Sequence, residues 1–296
     1  MWDGNLLDRL HAEYSGFSKG QKRISDFIMQ NYDKAAFMTA ASLSEAVGVS
    51  ESTIVRFAFA MGYEGYPQMQ KDLRDVIQNK MTTLQRLNLM EGLSPEEIVN
   101  TSFKTDINNL QVTKEKIDLH KIETIVDIIA NARTVYLLGA RSSGPLAEFL
   151  RYYMSYMMGN IHLIRFDGSD IFSQILHADA RDVVIAMSFP RYSMTTIETM
   201  QLMREKKCKL IAITDHEASP PAQLADYTLT AKSYMNSFVD SFVAPLSIIN
   251  LLIIKLGLKK KDVLQENFKE LERMWGLNDI YAGNFPLQDD SEQQNV

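Results

Sequence analysis

Two short stretches in the second half of the chain carry side chains suited to holding an anion. Gly139-Ala140-Arg141-Ser142-Ser143-Gly144 follows one apolar run, and Ser188-Phe189-Pro190-Arg191-Tyr192-Ser193 follows another. Each brings hydroxyls and one permanent guanidinium to a turn between a strand and a helix. In doubly wound sheets such turns border the ligand crevice, and the amides of the helix N-terminus favour negative charge there. Gly139 and Gly144 occupy the outer positions of a dinucleotide fingerprint, but Arg141 replaces the middle glycine that lets a pyrophosphate approach the backbone. That replacement argues against a nicotinamide cofactor, and no cofactor is expected. Arg141, Ser142, Ser143, Ser188, Arg191 and Ser193 are the candidate effector-binding residues, suited to one phosphate or carboxylate. The competing reading of either turn alone is a junction with serine caps; two such turns are a more specific pattern than one.

A different chemistry is spelled out between Ala40 and Phe59. Leu43, Val47, Val49, Ile54 and Phe57 are the apolar positions two short helices need to pack across a tight turn. Gly48 stands where that turn requires positive φ, Ser50 can cap the second helix and Gly62 can end it. This is the pattern of a helix-turn-helix, whose second helix lays its N-terminal residues in the major groove of DNA. Ser50, Glu51, Ser52, Thr53 and Arg56 then face outward, with Lys22 on a preceding basic helix. Arg can bond guanine bidentately, Glu can accept from cytosine, and hydroxyls serve bases or phosphates. The bland alternative is any helical hairpin with a glycine turn, in which Arg56 is a solvated surface charge.

Other reactive residues fall into no such pattern. Asp215-His216-Glu217 are adjacent in sequence, and adjacent residues rarely converge on one ion, so a polar loop ahead of a Ser219-Pro220 helix start is expected. His11, His120, His162 and His177 have no ligand spacing, so no metal site is expected. An enzyme that moves a proton between carbons would need a base. Glu148 and His216 are the candidates, neither in a recognisable catalytic setting, so an enzyme is the alternative rather than the expectation. Cys208 has no partner and no activating base beside it.

The elements that must position these residues change character along the chain. Residues 1–76 read as short helices, and 76–131 as longer ones, with Ser94-Pro95-Glu96-Glu97 a helix start. Beyond Arg133, apolar runs at Val135–Leu138, Ile161–Phe166, Val183–Met187, Leu210–Ile213 and Tyr227–Ala231 alternate with helical segments. Runs of that kind mark strands buried on both faces, the signature of a parallel sheet with crossover helices. Asn236–Leu256 reads as an apolar closing helix, and Gln288–Val296 as a polar, disordered tail. The expected fold is an all-α N-terminal helix-turn-helix domain followed by an α/β domain, a doubly wound parallel five-stranded sheet. The expected boundaries are 1–77 for the DNA-binding domain, 78–121 for a helical linker, 122–257 for the effector domain and 258–296 for a C-terminal helix and tail.

Bulk properties permit this organisation. The 296 residues are enough for two cores, and 46% hydrophobic with 23% charged residues is ordinary for globular proteins. The net charge of −6 argues mildly against nucleic acid, yet Lys19, Lys22, Arg23, Arg56, Lys71 and Arg74 can supply a local basic face. One cysteine excludes an internal disulfide, no apolar run is long enough for a membrane span, and Met1–Asn5 lacks a secretory pattern. A cytoplasmic protein with no membrane partner is expected.

Phe17-Ser18-Lys19-Gly20-Gln21-Lys22-Arg23-Ile24, Ser50 through Phe57, and Met61-Gly62-Tyr63-Glu64-Gly65-Tyr66 together resemble the N-terminal domain of RpiR/MurR-type regulators over about residues 1–77. Ala58 and Phe59 depart from that family, which usually has polar or basic residues there. The second half resembles the SIS (sugar isomerase-type) domain over about residues 122–257. Ser143 matches the serine of that family's first loop, and Ser188 and Ser193 match the first and last positions of its second, S-x-S-G-x-T. Pro190 and Arg191 replace the middle serine and the glycine, which removes donors and adds a bidentate fork. The resemblance implies a transcriptional regulator that binds a double-stranded DNA operator as a homodimer or higher homo-oligomer. It also implies a small anionic effector, a phosphosugar or a sugar-derived acid.

Overall fold

The computed structural model describes residues 6–80, 82–168, 170–235, 237–278 and 280. The chain divides into two compact units, one built on residues up to Asn108 with Ser233–Ser241, the other on Asn109–Lys232 and the chain from Phe242 onward. The tail expected at Gln288–Val296 and the residues Met1–Asn5 lie outside the described residues.

The first unit is helical: α1 (Leu6–Glu13), α2 (Lys19–Gln30), α3 (Tyr32–Ala35), α4 (Ala40–Val47), α5 (Glu51–Ala60), α6 (Tyr66–Lys80) and α7 (Thr83–Leu87), followed by α8 (Pro95–Glu115). Starts are fixed by the caps expected of such sequences. Ser18 and Gln21 form a reciprocal capping box on α2, Thr39 caps α4, and Ser50 caps α5. Helices α1 to α6 contribute apolar residues to one core in which Leu6, Leu10, Ile24, Ile28, Leu43, Ile54, Phe57 and Met69 are almost fully buried. Ser94 and Glu97 form the reciprocal bonds expected at the α8 start, at 2.8 and 3.3 Å.

The second unit holds α9 (Leu119–Ala130), β1 (Val135–Gly139), α10 (Gly144–Met154), β2 (Ile161–Leu163), α11 (Ile171–Gln174), β3 (Val183–Met187), α12 (Met194–Glu205), β4 (Lys209–Thr214), α13 (Pro220–Leu224), β5 (Tyr227–Thr230), α14 (Val243–Lys259) and α15 (Lys261–Leu277). All neighbouring strands are parallel, in the order β2-β1-β3-β4-β5. The pleat sends alternate residues to opposite cores. Val135, Leu137, Val183 and Ile185 pack with α9, α10 and α14, while Tyr136, Leu138, Val184 and Ala186 pack with α12. Both faces are covered, which explains the uninterrupted apolar runs.

The doubly wound five-stranded sheet is as expected; several element ends are not. β2 stops at Leu163 rather than Phe166, because Arg165 turns its backbone to the Gln174 side chain instead of a strand. The closing helix begins at Val243, not Asn236, and runs on to Lys259. The polar residues ahead of it are held by side chains of the first unit: Asp240 accepts from Arg86 at 3.2 Å, and Ser241 donates to Asp106 at 2.5 Å. Among the described residues, no helix is long and apolar enough to cross a membrane.

Candidate functional site

In the first unit, α4 and α5 meet across the turn Gly48-Val49-Ser50. Gly48 has φ +71°, and its N–H bonds the Ser44 carbonyl at 2.8 Å, closing α4 in a left-handed cap. Arg23 reaches this turn from α2 and donates to the carbonyls of Val47 and Gly48, the orphan acceptors at the end of α4. Val49 and Phe57 join the core and set the angle of α5. Ser50, Glu51, Ser52 and Arg56 are exposed, whereas Thr53, expected to face outward with them, is half-buried against Gly20 of α2. The Ser50 hydroxyl bonds those of Ser52 and Thr53, at 2.9 and 2.8 Å, and Arg56 Nε donates to the Ser52 carbonyl at 3.3 Å. Lys22 lies over the Tyr14 ring at 5.5 Å, and the first turn of α2 abuts that of α5, with Gly20 beside Thr53.

The basic residues of this unit divide by role. Arg23 braces the turn, and Arg74 donates to the Ala36 carbonyl at 2.8 Å and lies over Phe37. These two stitch the domain together, so the basic face suggested by composition is narrower than its six residues. The Gly-Tyr-x-Gly-Tyr tail is structural as well. Tyr63 packs under Arg9 and bonds Asp72, while Tyr66 donates to the Met38 carbonyl at 2.7 Å. Burial pushes the Tyr66 hydroxyl up to about 12.

In the second unit, the chain runs from β1 outward to β2 and then crosses back to place β3 on the other side of β1. The strand order reverses at this point, and the turns after β1 and β3 flank the resulting crevice. Gly139 and Met187 are paired across these two strand ends. The first turn carries Arg141 and Ser142, both exposed, and Ser143, buried at the start of α10. Gly139 is needed for this turn to fold tightly: a Cβ there would lie 2.5 Å from the Ser143 carbonyl oxygen and 3.1 Å from Ala147 Cβ. The second turn carries Ser188 and Pro190, both buried, exposed Arg191 and half-buried Ser193. Ser193 precedes α12 without using its hydroxyl as a cap, and Ser143 does not cap α10 either. All six candidate effector residues thus lie on two turns at neighbouring strand ends.

Three non-glycine residues among those described have positive φ: Arg141 at 56°, Arg191 at 67° and Lys207 at 64°. Lys207 follows the last turn of α12, where a left-handed residue commonly ends a helix. The other two are the arginines of the crevice, at the positions where glycine was expected from the loop patterns. Non-glycine residues in this region cost free energy and persist where their surroundings over-determine them, often at ligand clamps.

A contact between distant loops lies beside these turns. Tyr192 donates to Asp215 Oδ1 at 2.7 Å and lies 3.2 Å from His216 Nε2. Asp215, buried, also accepts from Thr214 Oγ1 at 3.2 Å. Asp215 and His216 follow β4, which is hydrogen-bonded to β3, so two loops separated by over twenty residues meet at one sheet edge. The available signal was that Asp215-His216 also stands just past an apolar run, like the two turns singled out. Glu217 turns away to pair with Lys121 at 3.1 Å, which separates it from its two neighbours. Glu148 is exposed on α10. Cys208 is buried, donates to the Asp179 carbonyl at 3.3 Å, and is pushed up to about 11 by burial, the profile of an inert thiol.

The family model for the helix-turn-helix domain of the rpiR family matches residues 4–80, and that for the SIS domain matches residues 128–255. An HTH-type transcriptional regulator of Clostridium perfringens, CPE0189, is 27% identical over 271 residues, covering 90% of this chain and 94% of its own. The sugar isomerase domain of an RpiR transcription factor from Sphaerobacter thermophilus, a crystal structure, is 25% identical with a TM-score of 0.57, covering 60% of this chain and 99% of that one. The NanR protein of Vibrio vulnificus, solved in complex with ManNAc-6P, has the same fold at 22% identity and a TM-score of 0.54, covering 91% of this chain and 99% of that one. The likeness to CPE0189 runs through both halves, and this chain carries an rpiR-family helix-turn-helix domain followed by a SIS domain, the pairing of an RpiR-type transcriptional regulator.

Proposed function

We propose that the protein binds operator DNA through α5 and that a small anionic effector, held in the crevice between the turns after β1 and β3, changes its DNA affinity. The observation that carries this reading is the pair of positive-φ arginines, Arg141 and Arg191, at the point where strand order reverses. Both bring a guanidinium fork to a crevice that also holds Ser142, Ser143, Ser188 and Ser193. Such a fork suits a phosphate or a carboxylate, so the effector is a phosphosugar or a sugar-derived acid. NanR, which shares the fold, was solved with a phosphosugar, and that ligand class is carried over as part of the proposal.

On the DNA side, Glu51, Ser52 and Arg56 reach base edges, while Ser50, Thr53 and Lys22 hold the backbone at the neighbouring first turns of α5 and α2. A homodimer presents two such heads to a pseudo-palindromic site. The effector acts by favouring one arrangement of the heads, with a coupling of about 1–3 kcal/mol, typical of such linkage. The test is to select bound sequences from random DNA, then measure affinity for them with and without each member of a panel of sugar phosphates and sugar acids. A compound that shifts the melting temperature and changes DNA affinity about five-fold or more supports the reading. A panel without binders removes it, and turnover of aldose or ketose phosphates would favour an isomerase instead.

A further inference from the structure

Arg191 is held in the left-handed region from both sides. Before it, Pro190 is buried with its ring fixing φ, and Ser188 N–H bonds the Ile213 carbonyl at 3.2 Å, which pins the turn to the end of β4. After it, Tyr192 extends its hydroxyl to Asp215 at 2.7 Å and His216 at 3.2 Å, in the loop beyond β4. The acceptor is itself fixed: Asp215 is 4% exposed and takes a second bond from Thr214. A residue at φ +67° with a bulky side chain relaxes to negative φ unless its neighbours forbid it. Pro190 and Tyr192 are the neighbours that do so, and of the two only Tyr192 is held by a side-chain hydrogen bond to a different loop.

We propose that Tyr192, anchored on Asp215 and His216, is a positioning residue that keeps Arg191 in its left-handed conformation and so directs the guanidinium at the anion. The proposal rests on the reading that Arg191 contacts the effector's anionic group. It makes Asp215 and His216 part of the effector site without touching the ligand, a role for the loop after β4 that neither effector turn contains. It also accounts for an arginine at a position where the loop pattern has glycine. A glycine would need no latch, whereas an arginine there is useful only if its backbone is held.

The effects of Tyr192 and Arg191 on anion binding must then depend on each other. The probe is inorganic phosphate, titrated at constant ionic strength into the full-length protein, wild type and the variants Arg191→Ala, Tyr192→Phe and the double variant. Arg191→Ala is expected to weaken phosphate binding about tenfold or more, the scale of a lost charge-assisted bond. Tyr192→Phe is expected to weaken it about two- to tenfold in the wild type and to have no further effect in the Arg191→Ala background. Equal losses from Tyr192→Phe in both backgrounds, or no loss in either, overturn the positioning role while leaving Arg191 as an anion ligand. Unchanged binding in Arg191→Ala, or no phosphate binding by the wild type, overturns the underlying reading instead. Asp215→Asn, which keeps an acceptor for the tyrosine, is expected to retain phosphate affinity within about threefold, while Asp215→Ala should reproduce Tyr192→Phe. Melting curves of each variant separate lost folding from lost positioning, because affinity is read per folded molecule.

Discussion

The guanidinium of Arg23 fills the space in which a side chain on Gly48 would stand: a Cβ on Gly48 would lie 2.6 Å from its terminal nitrogen. Arg23 can lie there and bond the last carbonyls of α4 only because the turn residue has no side chain. Gly48→Ala therefore carries two penalties, a left-handed alanine and a displaced Arg23. The first alone costs about 1–2 kcal/mol. The variant is expected to lower the stability of the helical unit by roughly 2 kcal/mol and to weaken DNA binding by misplacing α5. Denaturant melts monitored in that unit check this, and an unperturbed midpoint would show that the turn tolerates a Cβ.

Arg56 is exposed on the leading face of α5, where its side chain donates to the Ser52 carbonyl of its own helix. Arg56→Ala is expected to weaken operator binding by about 1–3 kcal/mol with little change in melting temperature. Gel-shift titrations at several salt concentrations distinguish a base contact, which alters sequence preference, from a phosphate contact, which alters the salt slope. Unchanged affinity at every salt concentration would remove Arg56 from the DNA interface.

Arg191 offers a separation of stability from function. Glycine is at ease at φ +67°, alanine is not, and neither carries a charge. Both Arg191→Gly and Arg191→Ala are expected to lose effector affinity by about 1.5–3 kcal/mol. Arg191→Gly should nevertheless melt above Arg191→Ala, by the equivalent of about 1 kcal/mol. Calorimetric titration beside thermal melts reads both quantities, and identical melting of the two variants would mean that the turn stores no strain.

At the opposite end of the sheet, Arg133 holds Asp182 through two hydrogen bonds, at 2.8 and 2.5 Å. Burial alone would raise the Asp182 carboxyl; the Arg133 bonds overcome it and hold the group below its ordinary value. A carboxylate with a depressed folded-state pKa contributes stability that is present above its unfolded value of about 3.9 and lost as the pH falls through the folded one. The α/β unit is expected to lose stability steeply below about pH 4, and Asp182→Asn should flatten that dependence while lowering stability at pH 7. Parallel stability curves for the two proteins between pH 7 and pH 3 would assign the acid sensitivity elsewhere.

What the sequence determined by itself is local. Helix caps, the glycine turn and the buried strands are encoded within a few residues, so Ser50, Gly48 and the runs at Val135 and Val183 could be read from spacing alone. The loop residues Ser143, Ser188 and Arg191 were legible for the same reason, since a strand followed by Gly, Ser and Arg is a local pattern. The tertiary structure decided which loops meet. Strand order placed β1 beside β3 and made their two turns the walls of one crevice. It also brought Asp215 and His216 to Tyr192, and Asp240 to Arg86 across 154 positions of sequence. The closing helix starts seven residues later than its apolar composition suggests, because Asp240 and Ser241 ahead of it are bound by partners far away in the chain. Hydrogen bonds between distant segments leave no periodicity behind, and a left-handed arginine is spelled the same way as any other; only packing supplies the constraint that holds it there.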